Sequence, residues 1–208
     1  MKKQCSAAFA LCLLLTGCAA PAQKMDFTYE ELPYGATIAI VNDSLIASQY
    51  DSRYITEAMR DAVLKYYHAV ETKDTDTYAS VQLPQWHDYV VNTVYQGQYT
   101  DLQLIKSLYD SCAKNFGGSF EYACISIEDA QKCSAGSEGQ QVIDMLDELA
   151  KEQEQEKFSS NVDEMWDLTI TAYMAKKGSG TRGETKDALT DQHLYLIEYG
   201  SEWYIIIS

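Results

Sequence analysis

The sequence predicts an α+β domain, with helices first and antiparallel strands last. Two observations carry this. Apolar residues recur at helical spacing from Ile55 to Phe116, divided by the breaks Lys73-Asp74, Pro84 and Gly97. From Phe120 onward the period shortens, and the chain closes on two strands around Gly200-Ser201. The 208 residues suit one domain with a real core, and no internal repeat or long linker is visible.

Taken in order, "TIAIV" (37–41) and "SLIAS" (44–48) flank Asn42-Asp43 and read as a hairpin. Asp51 or Ser52 offers a helix N-cap. In the helix that follows, Ile55, Met59, Val63, Tyr66 and Val70 fall on one stripe, with Tyr66 near its centre and His68 opposite. Lys73-Asp74 ends that helix, and "DTDTYASVQL" forms a short second one. Pro84 opens a third at a first-turn position, with Trp86, Tyr89, Val90 and Val94 apolar and Gly97 as its stop. Thr100-Asp101 caps a fourth, whose Leu102, Ile105, Tyr109, Cys112 and Phe116 share a side; Gly117-Gly118 ends it. "FEYACISI" (120–127) is a strand, and "DAQKCSAGSEG" a loop. A helix from Gln140 to about Lys157 carries Val142, Met145, Leu146 and Leu149, and its polar second half projects into solvent. Strands near Met165–Lys176, Gln192–Tyr199 and Trp203–Ile207 finish the chain, and "KKGSGTRGETKD" (176–187) is a hairpin tip.

The first residues carry an address. Met1-Lys2-Lys3 precedes nine apolar residues, Ala7–Leu15, too short a run for a membrane span of about 20 residues. A cationic start, a short apolar core and small residues read as an export signal. Leu15-Thr16-Gly17-Cys18 resembles the bacterial lipobox. That resemblance implies cleavage between Gly17 and Cys18, a diacylglycerol thioether on the Cys18 sulfur, and anchoring by two or three acyl chains. An uncleaved signal with a chance cysteine is the alternative. The expected organisation is a lipoprotein signal peptide over 1–17, a short tether over 18–26, a β-hairpin extension over 27–53, and the main domain over 54–208 with a helical insertion at about 138–158. The expected location is the outer face of a bacterial cell membrane, or the outer membrane of a Gram-negative envelope.

Losing Lys2 and Lys3 moves the formal charge from −15 to −17. Such a chain is repelled by nucleic acid and by anionic lipid heads, so lipid and not charge holds it to the membrane. Cys112, Cys124 and Cys133 remain after processing, an odd number that allows at most one bridge; none of the spacings is CxxC.

Two stretches resemble NTF2-like domains. "LKYYHAVETKDTDTYASV" is similar to their opening, a helix, a break at Lys-Asp or Gly-Asp, and a short helix. "LYLIEYGSEWYIII" is similar to their closing hairpin. Pro84–Ile127 and the strands from Met165 also resemble exported lipoproteins of anaerobic bacteria that carry this kind of domain. The resemblance covers about 54–208 and implies a curved antiparallel sheet wrapped around helices, a cone with an apolar mouth. The superfamily includes isomerase-like and dehydratase-like enzymes and many members that only bind. In the isomerases a Tyr eight residues before the break's Asp is an oxyanion donor, which corresponds to Tyr66 before Asp74. The isomerase base has no counterpart, because Pro84 and the third helix stand in its place.

Other constellations are weaker. His68, His87 and His193 lack metal-ligand spacing. His87 and Asp88 are helix neighbours pointing about 100° apart. Ala135-Gly136-Ser137-Glu138-Gly139 lacks the strand that a serine nucleophile elbow needs before it. "DTDT" lacks the rest of a calcium loop. The 16 tyrosines suit sugar or protein surfaces, and equally suit strands beside water. No cofactor or metal is implied. The expected function is binding of a small ligand or protein partner by a membrane-anchored domain. The alternatives are an isomerase- or dehydratase-like enzyme with Tyr66 as donor, and a structural accessory of an envelope complex.

Overall fold

The structure is a computed structural model that describes residues 32–42, 45–178 and 187–207. The signal, Gly17, Cys18, the tether, the Asp43-Ser44 part of the first turn and the 179–186 part of the hairpin tip lie outside the described residues.

Strands β1 (Ile38–Val41) and β2 (Ala47–Asp51) form an antiparallel hairpin, with Ile40 opposite Gln49 and Val41 opposite Ser48. The second strand is therefore Ala47–Asp51 and not residues 44–48. Its end is fixed by charge: Asp51 is fully buried, paired with Arg53 at 2.6 Å, and accepts from the Thr37 hydroxyl and the Gly35 N–H. Asp51 is thus committed to the sheet, and Thr56 is the N-cap of α1 (Glu57–Thr72), accepting from the Met59 N–H. The predicted stripe of Ile55, Met59, Val63, Tyr66 and Val70 is buried throughout. So are Ala62, Leu64, Tyr67 and Ala69, which makes α1 a central helix with core on two sides. His68 is half-buried instead of fully turned to water.

Lys73 ends α1 in the left-handed conformation, φ 59°, and both its N–H and that of Asp74 reach the Ala69 carbonyl. Asp74 then caps α2 (Thr75–Val81) through the N–H groups of Asp76 and Thr77. Pro84 sits at the first position of α3 (Pro84–Tyr89), which runs into a π-helical turn, Val90–Val94. Neither piece contains a buried residue. Thr100 and Gln103 form a reciprocal capping box at the start of α4 (Asp101–Phe116), and Gly117 ends it at φ +84°. Ile105, Tyr109 and Phe116 of the predicted side are buried, Cys112 is half-buried, and Leu102 is exposed.

Strand β3 (Phe120–Lys132) is longer than predicted, because its second half pairs with β4 as far as Lys132 opposite Trp166. Helix α5 (Glu138–Glu152) starts and stops before the predicted bounds. It stops because Glu154 is left-handed, φ 57°, and the Gln155 N–H turns back to the Ala150 carbonyl. A 3₁₀ turn, Phe158–Asn161, leads into β4 (Val162–Lys176), then β5 (Asp187–Tyr199) and β6 (Glu202–Ile207). Left-handed Gly200 and Ser201 make the last turn.

The strands form one sheet in sequence order, β1 to β6. Only β2 and β3 run parallel, as the long helical crossover between them requires. Irregular register at Tyr122/Cys124 and Ile127/Asp129, and at Ile170/Ala172, bends the long strands into a curved sheet. Alternation then serves two cores. Leu194 and Leu196 face the concave side with Ile125, Leu168, Ile170 and α1. Tyr195 and Ile197 face the other side with Met165, Ile206 and the Ile143 and Leu146 of α5. Each such buried aliphatic side chain stabilises the fold by roughly 1.5–3 kcal/mol. The architecture is α+β: helices on a curved, mostly antiparallel sheet, with an N-terminal hairpin and an inserted helix. The far edge is covered where the Leu83 N–H donates to the Ile205 carbonyl.

Candidate functional site

The concave core closes around a cavity of ≈ 110 Å³ that Tyr66 lines together with Tyr67, Cys112, Tyr122 and Gln192. Helix α1 supplies Tyr66 and Tyr67 as neighbours, α4 supplies Cys112, and β3 and β5 supply the far wall. The rings form a continuous contact series. Tyr66 meets Tyr67 edge-on at 5.3 Å, Tyr67 meets Tyr122 at 5.1 Å, and Tyr122 meets Phe120 at 5.1 Å. Edge-to-face contacts of this kind add to the apolar burial of the rings.

The hydroxyls differ in their partners. Tyr67 donates to the Gln192 side-chain carbonyl at 3.0 Å. Tyr122 points at the Cys112 sulfur at 3.9 Å. The Tyr66 hydroxyl has no hydrogen-bond partner among the described residues. Burial pushes the Tyr66 and Tyr122 hydroxyls well above the ordinary phenol range and raises Tyr67 as well. Burial also raises the Cys112 thiol. At neutral pH all four groups are protonated. They can donate to a negatively charging oxygen, and none can take up a proton from a substrate carbon.

Histidine does not fill that gap. His193 borders the cavity, but strand alternation turns its ring to the opposite side of β5 from Gln192 and Leu194. There its Nδ1 lies 3.1 Å from an Asp167 carboxylate oxygen. Glu71, on α1, accepts the Tyr122 backbone N–H at 3.0 Å and is occupied structurally. His87 is half-buried, and its Nε2 lies 2.8 Å from an Asp101 oxygen, joining α3 to the first residue of α4. Its sequence neighbour Asp88 is 3.9 Å away. The partner of His87 therefore comes from 14 residues along the chain, a pairing with no local signal.

The remaining sequence candidates have structural roles. Ser137 caps α5 by accepting from the Gln140 N–H, and four loop residues separate it from β3. Asp74 of "DTDT" caps α2. Cys112, Cys124 and Cys133 are free, half-buried thiols, each raised by burial. Among the described residues, no group of three or more His, Cys, Asp and Glu could hold a metal ion, and no helix is long and apolar enough to cross a membrane.

Sequence spacing brought out Tyr66. It did not bring out Tyr122 and Gln192, which reach the cavity only through the pairing of distant strands. The alternation of Phe120, Tyr122 and Ile125 around a bulge was the only available hint.

No protein-family model matches the chain, no curated protein matches it, and no solved structure matches it.

Proposed function

We propose that the chain is an exported protein, anchored through lipid on Cys18 to the outer face of a bacterial membrane, and that its domain is a non-catalytic binding module of the NTF2-like type. One observation carries the binding reading. The Tyr66 cavity offers hydroxyl donors, but among the described residues no carboxylate or imidazole is aimed into it. Its ≈ 110 Å³ is also below the roughly 300–1,000 Å³ usual for small-molecule sites. Tyr66 then completes a core and holds no substrate. The anchor reading rests on Lys2-Lys3, the apolar run and Leu15-Thr16-Gly17-Cys18.

The isomerase-like alternative draws on the same residue, since a hydroxyl that lines the cavity with no partner among the described residues is a ready donor. The two readings separate in one assay. The full chain is given 5-androstene-3,17-dione, an enolisable ketone, and conjugation of the product is followed by absorbance. We expect no turnover above the uncatalysed rate. Turnover that falls by about a hundredfold or more in Tyr66→Phe, the scale of losing one oxyanion donor, would establish the enzyme instead. For the anchor, Cys18→Ala should abolish partitioning into the detergent phase and leave the unprocessed precursor. Normal cleavage with unchanged partitioning would refute it.

A further inference from the structure

The opposite side of the sheet holds a larger depression, a cleft of ≈ 370 Å³ between α3 with its π-helical turn and α5. One wall is built from Gln85, Asp88, Tyr89, Asn92 and Thr93, which recur at three- and four-residue spacing and so share one helical face. All but Tyr89 are polar, and Gln85, Asp88, Asn92 and Thr93 stand exposed along the rim of the cleft. Of the apolar residues of the same segment, Trp86 packs against the core on the α5 side of the sheet, whereas Val94 is 54% and Tyr95 38% exposed. Of the predicted apolar set, Trp86, Tyr89 and Val90 are half-buried and Val94 is exposed. The π turn, closed by the Tyr95 N–H on the Val90 carbonyl at 2.9 Å, adds a residue to the turn. Such turns are frequent where a helix serves a site.

The facing wall is apolar. Leu146, Leu149 and Ala150 come from α5, and the stacked rings of Phe158 and Tyr199, 4.8 Å apart and 6° from parallel, form the floor. This floor is held in place. The Gln85 amide donates to the Tyr199 hydroxyl at 3.2 Å, and the Asp147 carboxylate accepts both the N–H and the hydroxyl of Ser159 beside Phe158. Among the described residues, no Lys, Arg or His lines the cleft.

We infer that this cleft binds a neutral saccharide. The inference rests on the binding-module reading and names its site and ligand class. A pyranose has an apolar face of C–H groups and a rim of hydroxyls that both donate and accept. Half-exposed Tyr199, Leu149 and Ala150, backed by buried Phe158 and Leu146, complement the face. Side-chain amides, which also offer donors and an acceptor, complement the rim, and Asp88 adds an acceptor. The absence of cations, two carboxylates in the lining (Asp88 and Glu156) and a formal charge of −15 argue against an anionic ligand. The volume lies within the usual range of small-molecule sites.

The test is calorimetric titration of the full chain, in a detergent without a sugar headgroup, against chitotetraose, cellotetraose and tetragalacturonate. We expect one of the two neutral tetrasaccharides to bind with a Kd below about 1 mM and the anionic one not to bind. Asn92→Leu, at an exposed cleft position, should weaken binding at least about tenfold with an unchanged melting temperature. Tyr66→Phe, in the other cavity, should bind as the wild type does. Failure of both neutral sugars, equal binding of tetragalacturonate, or unchanged affinity in Asn92→Leu would overturn the saccharide assignment and leave the binding-module reading in place. That reading fails separately, through Tyr66-dependent ketone turnover.

Discussion

On the concave side of the sheet, α1 turns apolar and aromatic side chains inward on two faces and leaves a cavity of ≈ 110 Å³. On the other side, α3 and its π turn border a cleft of ≈ 370 Å³ with exposed polar side chains and contain no buried residue. The first arrangement minimises the exposure of apolar surface. The second half-buries Trp86, Tyr89 and Val90 and leaves an amide-rich rim open to solvent. The cleft and the concave cavity share no lining residue, so substitutions can be directed at one without the other.

The largest effects belong to the N-terminal hairpin and the concave side. Removing the buried Asp51 carboxylate by Asp51→Ala takes its charge partner from Arg53, which keeps the Pro33 carbonyl, and the acceptor from the Thr37 hydroxyl and the Gly35 N–H. Loss of one partner of a buried pair costs about 3–5 kcal/mol, read by denaturant unfolding. The same group gives the fold an acid sensitivity. Hydrogen bonds from Arg53, ahead of those from Thr37 and the backbone, hold the carboxyl below the ordinary carboxylate range. Its contribution is complete above about pH 4, where the unfolded chain's Asp is also ionised, and is lost as pH falls below that. A wild-type melting temperature no more acid-sensitive than that of Asp51→Ala would show that the pair carries no such linkage. Tyr66→Ala opens an aromatic-sized cavity and should cost roughly 3–5 kcal/mol.

An intermediate effect concerns the support of α5, the apolar wall of the cleft. A Cβ at Gly139 would meet the Cys133 sulfur at 2.6 Å and Met165 at 3.3 Å. Gly139→Ala should therefore cost about 1–3 kcal/mol through overpacking. An unchanged midpoint would mean that α5 is seated more loosely than the contacts require.

Helix α1 and its limits were legible because their signals are local: a regular apolar spacing, Lys73-Asp74, and a capping residue within one turn. The second hairpin strand was displaced because Asp51 looks like a cap in sequence, and becomes a sheet residue only once Arg53, Thr37 and Gly35 surround it. The third helix carried four apolar residues, and nothing local reveals that Trp86, Tyr89 and Val90 are only half-buried and Val94 exposed. The cleft joins residues 85–93 to 146–156 and to Tyr199, and His87 finds Asp101 across the π turn. These are products of tertiary folding, which spacing along one segment cannot encode. Tyr66 stood out in sequence because its helix is regular and its break is sharp.

The smallest effects sharpen the comparison most finely. Tyr67→Phe removes the hydroxyl that donates to Gln192 and should cost about 1 kcal/mol. Tyr66→Phe removes a hydroxyl with no partner among the described residues and should change stability by no more than about 0.5 kcal/mol in either direction. If Tyr66→Phe costs more than Tyr67→Phe, the Tyr66 hydroxyl is engaged and the assignment of the cavity as plain core is wrong.

The most direct measurement is a map of backbone amide shifts in the nitrogen-labelled full chain as a neutral tetrasaccharide that binds in the titration is added. We expect the movements to cluster at residues 85–93 and 146–156 and at Tyr199, with Tyr66, Tyr67, Cys112 and Tyr122 unmoved. Movements centred on Tyr66 and its cavity neighbours, with the cleft still, would place recognition on the concave side and contradict the division of labour between the two faces of the sheet.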